Sequence, residues 1–176
     1  RLTGGEWLDA LSGARLGAPR LIELARQEEE RARALGVGIV TLADDEYPAL
    51  LREIPDPPPV LYIWGNLEPD DEVRVAVVGA RRATRHGIGA AGTIAKGLGE
   101  RGIVVVSGLA RGVDAAAHAG ALASGARTIA VLGSGLARIY PRENAQLAAR
   151  IAARGAVLSE YPLELGPLPH LFPRRN

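Results

Sequence analysis

The feature that most constrains the fold is a unit that repeats from Val73 onward: a short apolar run, a glycine-containing turn and a segment of helical length. The apolar runs are Arg74–Val78, Ile103–Ser107, Thr128–Leu132 and Ala156–Ser159. Apolar runs separated by helices are typical of parallel strands that are covered on both faces and joined by right-handed crossovers. The repeat therefore predicts an α/β fold with an extended Rossmann-like, doubly wound, mainly parallel sheet, and helices near 86–100, 114–124 and 142–154.

The residues before the repeat are predicted to be partly helical. Periodic apolar residues indicate a helix over 19–35 that ends at Gly36, after a shorter helix near 6–11. We therefore predict a partial N-terminal helical module over 1–36 and a Rossmann-like domain over 37–176. The charged run Glu28–Arg33 is interpreted as a solvated turn. Two more strands are predicted at 37–42 and 60–64, joined through a rigid proline-rich connector.

A formal net charge of +1 gives the chain no general attraction for a polyanion. Any affinity for a polyanion must therefore come from local clusters of basic residues. Lys96 is the only lysine among 21 basic residues, so nearly all cations are guanidinium forks that suit phosphate oxygens. With no cysteine, disulfide and thiolate chemistry are excluded. No apolar run reaches the roughly 18 residues of a membrane span and no signal peptide opens the chain, so we expect a cytoplasmic protein without a membrane partner. The start at Arg1 indicates a fragment.

Parallel strands bring the loops that follow them to one edge of the sheet, where ligands of open α/β sheets bind. These loops are residues 79–82, 108–112, 133–135 and 160–162. The first carries Arg81 and Arg82 shortly before Thr84, a candidate helix cap, and helix N-termini favour anions. A phosphate near Arg81 is therefore predicted. This first loop does not follow the G-x-G-x-x-G pattern, and the chain has no Gly-Lys-Ser/Thr stretch, which disfavours dinucleotides and nucleoside triphosphates.

Catalytic and metal-binding interpretations have weaker support. Asp114 and His118 lie four residues apart, but an Asp in a first helical turn and a single structural His are the commoner case. His86 and His170 are not at ligand spacing, so neither a metal nor a cofactor is predicted. The turn Gly133–Ser134–Gly135 either admits a phosphate to the backbone or turns the chain tightly, and it lacks the spacing of a serine-hydrolase elbow.

Since no pair of nucleophile and base emerges, the chain is predicted to bind a ligand and not to be an enzyme. Arginines around glycine-rich N–H donors form the groove that a sugar–phosphate strand requires, and Tyr140, Tyr161 or Phe172 are candidates to stack on bases. Aromatic residues make up only 4% of the chain, so the predicted ligand is single-stranded DNA read with little sequence preference. The candidate DNA-binding residues are Gly79, Arg81, Arg82, Gly108, Arg111, Gly133, Ser134, Gly135, Arg174, Arg175 and Asn176.

Two other functions stay open from the residues alone. A nucleotide-binding or nucleotide-processing Rossmann-like enzyme shares glycine loops after strands, although the Pro-Gly-Gly-x-Gly-Thr stretch of the Rossmann-like phosphoribohydrolases is not found here. A partner-docking module is the third interpretation. Binding of AMP would favour the enzyme, and failure to bind either AMP or DNA would favour the docking module.

Several motifs occur in the order found in one known family. They are Val75–Arg81, Ser107–Asp114, Thr128–Leu136, Ser159–Pro162 and Phe172–Asn176. Over roughly residues 37–176 the chain resembles the DprA/Smf family, DNA-processing protein A. Because several motifs are in register, the resemblance is specific.

The resemblance implies an extended Rossmann fold that binds single-stranded DNA, protects incoming DNA in natural transformation and helps load RecA recombinase during recombination, without catalysis. It implies Arg81 as the leading phosphate contact and Arg111 as the basic residue of the second motif. It also assigns the first 35 residues to a SAM-like helical module. Ala80 departs from the family's common Ser, which removes one hydroxyl donor. The family's dimer contact usually lies beyond Asn176, so a homodimer is expected of the full-length protein and is left open for this fragment.

Overall fold

The computed structural model of the protein describes residues 18–68 and 73–175, so the helix predicted near 6–11 lies outside the described residues. The helices are α1 (Ala18–Ala34), α2 (Ala49–Arg52), α3 (Arg85–Gly99), α4 (Val113–Ala123), α5 (Ala145–Ala152) and α6 (Leu171–Arg175). The strands are β1 (Val37–Thr41), β2 (Val60–Gly65), β3 (Arg74–Ala76), β4 (Val104–Ser107), β5 (Thr128–Leu132) and β6 (Ala156–Ser159). Two 3₁₀ turns, Leu136–Arg138 and Arg142–Asn144, lie between β5 and α5. Within these ranges no helix has the length and apolar character needed to cross a membrane.

The strands of the described residues form one six-stranded sheet in the order β1-β2-β6-β5-β4-β3. Strands β3, β4, β5 and β6 are parallel to one another, whereas β2 runs antiparallel to β6 and to β1. The predicted α/β, Rossmann-like and mainly parallel fold is thereby confirmed.

The order of the strands determines which face of the sheet the helices cover. Strands β3 to β6 follow one another across the sheet without a reversal, and right-handed crossovers then place α3, α4 and α5 on the same face. These helices pack closely, since a Cβ on Gly120 of α4 would lie 2.2 Å from the Gly92 carbonyl oxygen of α3. A doubly wound sheet carries long helices on both faces. The described part of the chain differs in this respect, because Tyr47, short helix α2 and the loop residues Leu42 and Leu67 pack on the other face, beside an apolar cavity of about 590 Å³.

Residues of the central strands alternate between two apolar layers, because successive side chains of a strand point to opposite faces. Ala130 and Val157 are fully buried in the cluster that includes residues of α4 and α5. Their neighbours Ile129 and Leu158 belong to the cluster on the other face. This burial on two sides fixes the strands, and with them the positions of the loops at the strand ends.

Helix α1 is linked to the loop after β6 by one buried carboxylate. Glu28 and Ala32 lie one turn apart on the buried side of the helix. Glu28 is 6% exposed, and its Oε1 accepts a 2.7 Å hydrogen bond from the backbone N–H of Leu163. Burial and the adjacent Glu28 carboxylate both raise the pKa of Tyr62. The interpretation of this stretch as a solvated turn is therefore wrong at Glu28, because its partner is a backbone group far away in sequence. The division of the chain at residue 36 stays a prediction.

Candidate functional site

The loops that follow the parallel strands meet at the carboxyl edge of the sheet. A crevice of about 150 Å³ opens there, lined by Arg81, Arg82, Gly108, Ala110, Arg111, Tyr140, Pro141, Phe172 and Arg175. An adjoining depression of about 510 Å³ shares four of these side chains, Arg81, Tyr140, Phe172 and Arg175. Arginines from two different loops and from α6 thus face one space, as the strand pattern predicts.

The first loop presents its arginines at the start of a capped helix. Gly79 follows β3 at the surface, and the side chains of Arg81 and Arg82 are exposed. Thr84 is the N-cap of α3, and its Oγ1 accepts a 3.1 Å hydrogen bond from the Gly87 N–H, which confirms the predicted cap. The capped N-terminus adds a favourable field for an anion close to both guanidinium groups.

Phe172 of α6 organises the arginines of the crevice. The guanidinium carbon of Arg81 lies 5.0 Å from the centre of the Phe172 ring, and that of Arg175 lies 5.9 Å away. The Tyr140 ring is 5.8 Å from the same ring, at an interplanar angle of 48°. An arginine held over an aromatic face is oriented while its N–H groups stay available in the guanidinium plane. The aromatic pair therefore positions donors at the crevice.

Two glycines predicted to contact DNA make room for side chains of α6. A Cβ at Gly133 would lie 2.8 Å from the Phe172 ring, and one at Gly108 would lie 2.3 Å from the guanidinium carbon of Arg175. Arg175 Nη1 also donates a 2.7 Å hydrogen bond to the Gly108 carbonyl oxygen. A Cβ at Gly133 would clash with the ring, and a Cβ at Gly108 would require the Arg175 guanidinium to move. Gly108 and Gly133 thus shape the crevice by seating Arg175 and Phe172, instead of offering an open backbone to a ligand.

The second loop has a tightly determined backbone that carries Arg111. Leu109 is fully buried with a φ of 57°, a conformation that side chains other than glycine seldom adopt. Its carbonyl oxygen accepts a 2.8 Å hydrogen bond from Asn144 Nδ2. Gly112 follows with a φ of 80°, and a Cβ there would lie 2.3 Å from the Ala80 carbonyl oxygen of the first loop. The two arginine loops are therefore fitted against each other.

Arg111 is paired with an acidic residue that the sequence interpretation missed. Its Nε donates to Oε1 of Glu143, and the two side chains are 57% and 53% exposed. The Glu143 carboxylate raises the pKa of Arg111, and the hydrogen bond from Arg111 lowers the pKa of Glu143. The partners are 32 residues apart, and no local pattern points to the pair.

The third loop uses its polar groups inside the protein. Ser134 is 1% exposed, and its hydroxyl donates a 2.9 Å hydrogen bond to the Arg138 carbonyl oxygen. The Ser159 hydroxyl donates to the Ser134 carbonyl oxygen at 2.8 Å, and the Gly135 N–H donates to the Leu165 carbonyl oxygen at 2.8 Å. The structure does not bring Ser134 and Gly135 to the surface of the crevice, because these bonds turn them toward the 160–165 segment.

The remaining candidates differ in their surroundings. Tyr140 is 39% exposed, whereas Tyr161 is 8% exposed and packs with Leu165 and Leu171. Of the two aromatic side chains, Tyr140 is therefore the one that a base can reach. Asn176 and the side chain of Arg174 lie outside the described residues.

Asp114 and His118 are buried polar residues of α4. The His118 ring is fully buried, and its Nδ1 lies 2.8 Å from Oγ1 of Thr128, whose hydroxyl donates to the Val105 carbonyl oxygen at 2.6 Å. Burial lowers the pKa of His118 to about 4. Asp114 Oδ2 accepts a 3.4 Å hydrogen bond from a backbone N–H of its own loop. The structural interpretation of both residues is thus supported, and residues 18–68 and 73–175 contain no group of three side chains suited to hold a metal ion.

Fold and site together define a class of protein: a Rossmann-like domain whose carboxyl edge presents arginines and aromatic rings to one open crevice. The sequence model of DNA recombination-mediator protein A matches residues 38–176. Since this match covers most of the chain, the protein belongs to that family.

Individual relatives agree with the family assignment. Protein Smf of Synechocystis is 48% identical over 141 residues, which cover 78% of this chain and 35% of that protein. DNA processing protein DprA of Bacillus subtilis is 36% identical over 159 residues, covering 90% of this chain and 51% of that protein. The chain therefore spans between 35% and 51% of the length of these two relatives.

Two solved structures are similar to the chain. The X-ray structure of DNA processing protein A from Streptococcus pneumoniae has a TM-score of 0.74 and 37% identity, and covers 99% of this chain and 62% of that one. DNA processing protein A from Helicobacter pylori, a structure described for its unique single-stranded DNA binding mode, has a TM-score of 0.67 and 32% identity. It covers 79% of this chain and 62% of that one.

Proposed function

We propose that the crevice binds the sugar–phosphate backbone of single-stranded DNA without sequence preference. The observation that carries the proposal is the convergence of Arg81, Arg82, Arg111 and Arg175 with Tyr140 and Phe172 on one open edge. Guanidinium groups grip phosphate oxygens, and aromatic faces accept bases of any identity. The Helicobacter pylori relative, described for its binding of single-stranded DNA, supports the same ligand.

Arg81 is the proposed leading phosphate contact, together with Arg82 and Arg111. Arg81 is exposed, oriented by Phe172 and adjacent to the capped start of α3. Arg175 contributes positive charge from a fixed position, because one of its donors is occupied by the Gly108 carbonyl. Gly79 and Arg174, the arginine that precedes Arg175 in the tail, complete the proposed surface. Gly108, Gly133, Ser134 and Gly135 act indirectly by shaping the loops, and Asn176 extends the tail.

In the cell we propose that the protein acts on incoming DNA in natural transformation and in recombination, in the cytoplasm, and helps to load RecA recombinase. The proposal follows the family, whose description is that of a recombination mediator. It includes binding without catalysis, and homodimerisation of the full-length protein. None of the crevice side chains forms an evident nucleophile–base pair, which is the reason for preferring a binding function over nucleotide processing.

The proposal is tested by titrating a fluorescently labelled oligo-dT with the protein at two salt concentrations, beside a duplex of the same length. About three neutralised phosphates give a slope of log K against log salt of roughly −2 for a single strand. We expect the single strand to bind more tightly than the duplex, with that slope. Equal, salt-insensitive affinity for both would contradict the proposal, and calorimetry that finds a stoichiometric AMP site would favour the enzyme.

A further inference from the structure

Glu143 is a carboxylate at the rim of a crevice that otherwise gathers positive charge. The charged side chains that line the crevice are Arg81, Arg82, Arg111 and Arg175, and Glu143 lines a neighbouring depression that shares Arg111 and Tyr140 with it. Glu143 accepts a hydrogen bond from Arg111 Nε, which is one of the donors on the side edge of the guanidinium group. That edge, Nε together with one terminal nitrogen, is a pair of parallel donors suited to two oxygens of a carboxylate or a phosphate. Glu143 thus occupies a donor that a phosphate would use.

The turn that carries Glu143 has a second link to the loop of Arg111, besides the ion pair. Its neighbour Asn144 donates a 2.8 Å hydrogen bond from Nδ2 to the Leu109 carbonyl oxygen. Leu109 lies two residues before Arg111 in the same loop, and its positive φ is held by complete burial. The 3₁₀ turn Arg142–Asn144 is therefore tied to the loop that carries Arg111. The segments that carry Glu143 and Arg111 are thus held together by a contact other than the ion pair.

The ion pair is open to competition. Both side chains are more than half exposed, and exposed ion pairs are weak because water screens them and both side chains lose conformational freedom. Tyr140 lines the crevice together with Arg111, so the guanidinium also faces the crevice. The nearby charged groups are Arg142 on the same turn and the pair Arg138–Glu164, joined at 2.8 Å. A phosphate that approaches Arg111 meets Glu143 as its direct competitor.

We propose that Glu143 competes with DNA phosphate for Arg111 and so limits the affinity of the crevice for single-stranded DNA. The inference rests on the proposed function. A strand that engages Arg111 through its side edge displaces the Glu143 carboxylate, which turns toward solvent. Binding at Arg111 is then conditional, whereas Arg81 lies on an aromatic ring and forms no ion pair with a carboxylate of residues 18–68 or 73–175.

The test is a double-mutant cycle with labelled oligo-dT. Glu143→Gln keeps the size and an oxygen acceptor but removes the charge, and we expect affinity about two- to fivefold higher, in line with the loss of a weak ion pair. In the Arg111→Ala background the same change is expected to give no more than the matched control. That control is Glu164→Gln, which breaks a comparable exposed pair with Arg138, a residue that does not line the crevice.

The outcomes separate the competing explanations. Weaker binding by Glu143→Gln would mean that the carboxylate positions Arg111, and would overturn the proposal. An equal gain with Glu164→Gln, or a gain that persists without Arg111, would reduce the effect to general charge and would overturn it too. If the unaltered protein does not bind oligo-dT, the proposed function itself fails. If it binds and Glu143→Gln has no effect, only the inference about Glu143 fails.

Discussion

The arginine rim of the crevice and the lower layer, which consists of the buried polar residues Asp114 and His118 of α4, differ in their surroundings. Arg81 and Arg111 extend from the rim into solvent. Asp114 and His118, a few residues further along the chain, are 3% and 0% exposed and bond to groups of the protein itself. The arginines and the two α4 residues differ in burial. A buried polar group must form its hydrogen bonds within the protein, whereas an exposed one is available to a ligand. Substitutions in the lower layer are therefore expected to change stability, and those at the rim to change binding.

The largest effect is expected where the two loops are fitted together, at Gly112. Gly112→Ala places a Cβ at a φ of 80° and 2.3 Å from the Ala80 carbonyl oxygen, so the first loop must move. We expect a loss of about 4 kcal/mol in the free energy of unfolding, measured by urea denaturation. The matched control is Gly89→Ala in α3, where a Cβ would meet nothing within 4 Å. That change is expected to be neutral or to stabilise by up to about 1 kcal/mol. Equal free energies of unfolding for Gly112→Ala and Gly89→Ala would contradict the close fit of the two loops at Gly112.

The next effect concerns the protonation of the lower layer. The pKa of His118 is lowered to about 4 by burial, whereas in the unfolded chain it has its ordinary value. Between these two values the unfolded chain binds a proton that the folded protein excludes. The neutral His118 ring therefore makes its full contribution to the free energy of unfolding above about pH 6.5. That contribution is lost as the pH falls toward about 4, by up to roughly 3 kcal/mol.

The measurement is urea unfolding at pH 7.5 and pH 4.5 for the unaltered protein, His118→Gln and His86→Gln. His86 is exposed at the start of α3 and serves as the control. We expect His118→Gln to reduce the difference in unfolding free energy between the two pH values, and His86→Gln to leave it unchanged. If the unfolding free energy depends on pH in the same way in all three proteins, the protonation of His118 does not contribute to the pH dependence of stability.

The smallest effect is expected at the rim, from the ring that orients Arg81. Phe172→Leu keeps an apolar side chain over Gly133 but removes the aromatic face, and Phe172→Tyr keeps both. An exposed cation–π contact contributes about 0.5–1 kcal/mol, so Phe172→Leu should weaken oligo-dT binding about two- to fivefold. Phe172→Tyr should bind like the unaltered protein, and the unfolding midpoints should stay close. If Phe172→Leu lowers stability without lowering affinity, Phe172 has a structural role and does not orient Arg81 for binding.

The sequence predicts the convergence of the loops because the apolar runs and their glycine turns are local signals of parallel strands. It does not predict which face the helices cover, since strand order is not encoded in any local pattern. The contacts of Arg175 with Gly108 and of Glu28 with Leu163 span 67 and 135 residues, so no local sequence pattern predicts them either. A glycine in a loop is compatible with a ligand or with a side chain of the protein as its neighbour. At Gly108 and Gly133 only the packing of α6 distinguishes the two.

The most direct test of the account compares charge reversal at the two edges of the sheet. Arg81→Glu alters the crevice, and Arg101→Glu makes the same charge change in an exposed side chain that follows α3 and precedes β4, at the amino edge. The measurement is the dissociation constant of labelled oligo-dT for both variants, with thermal unfolding to verify folding. We expect Arg81→Glu to weaken binding at least about tenfold and Arg101→Glu to weaken it by less than about threefold. Equal losses in the two folded variants would contradict a DNA site at the carboxyl edge.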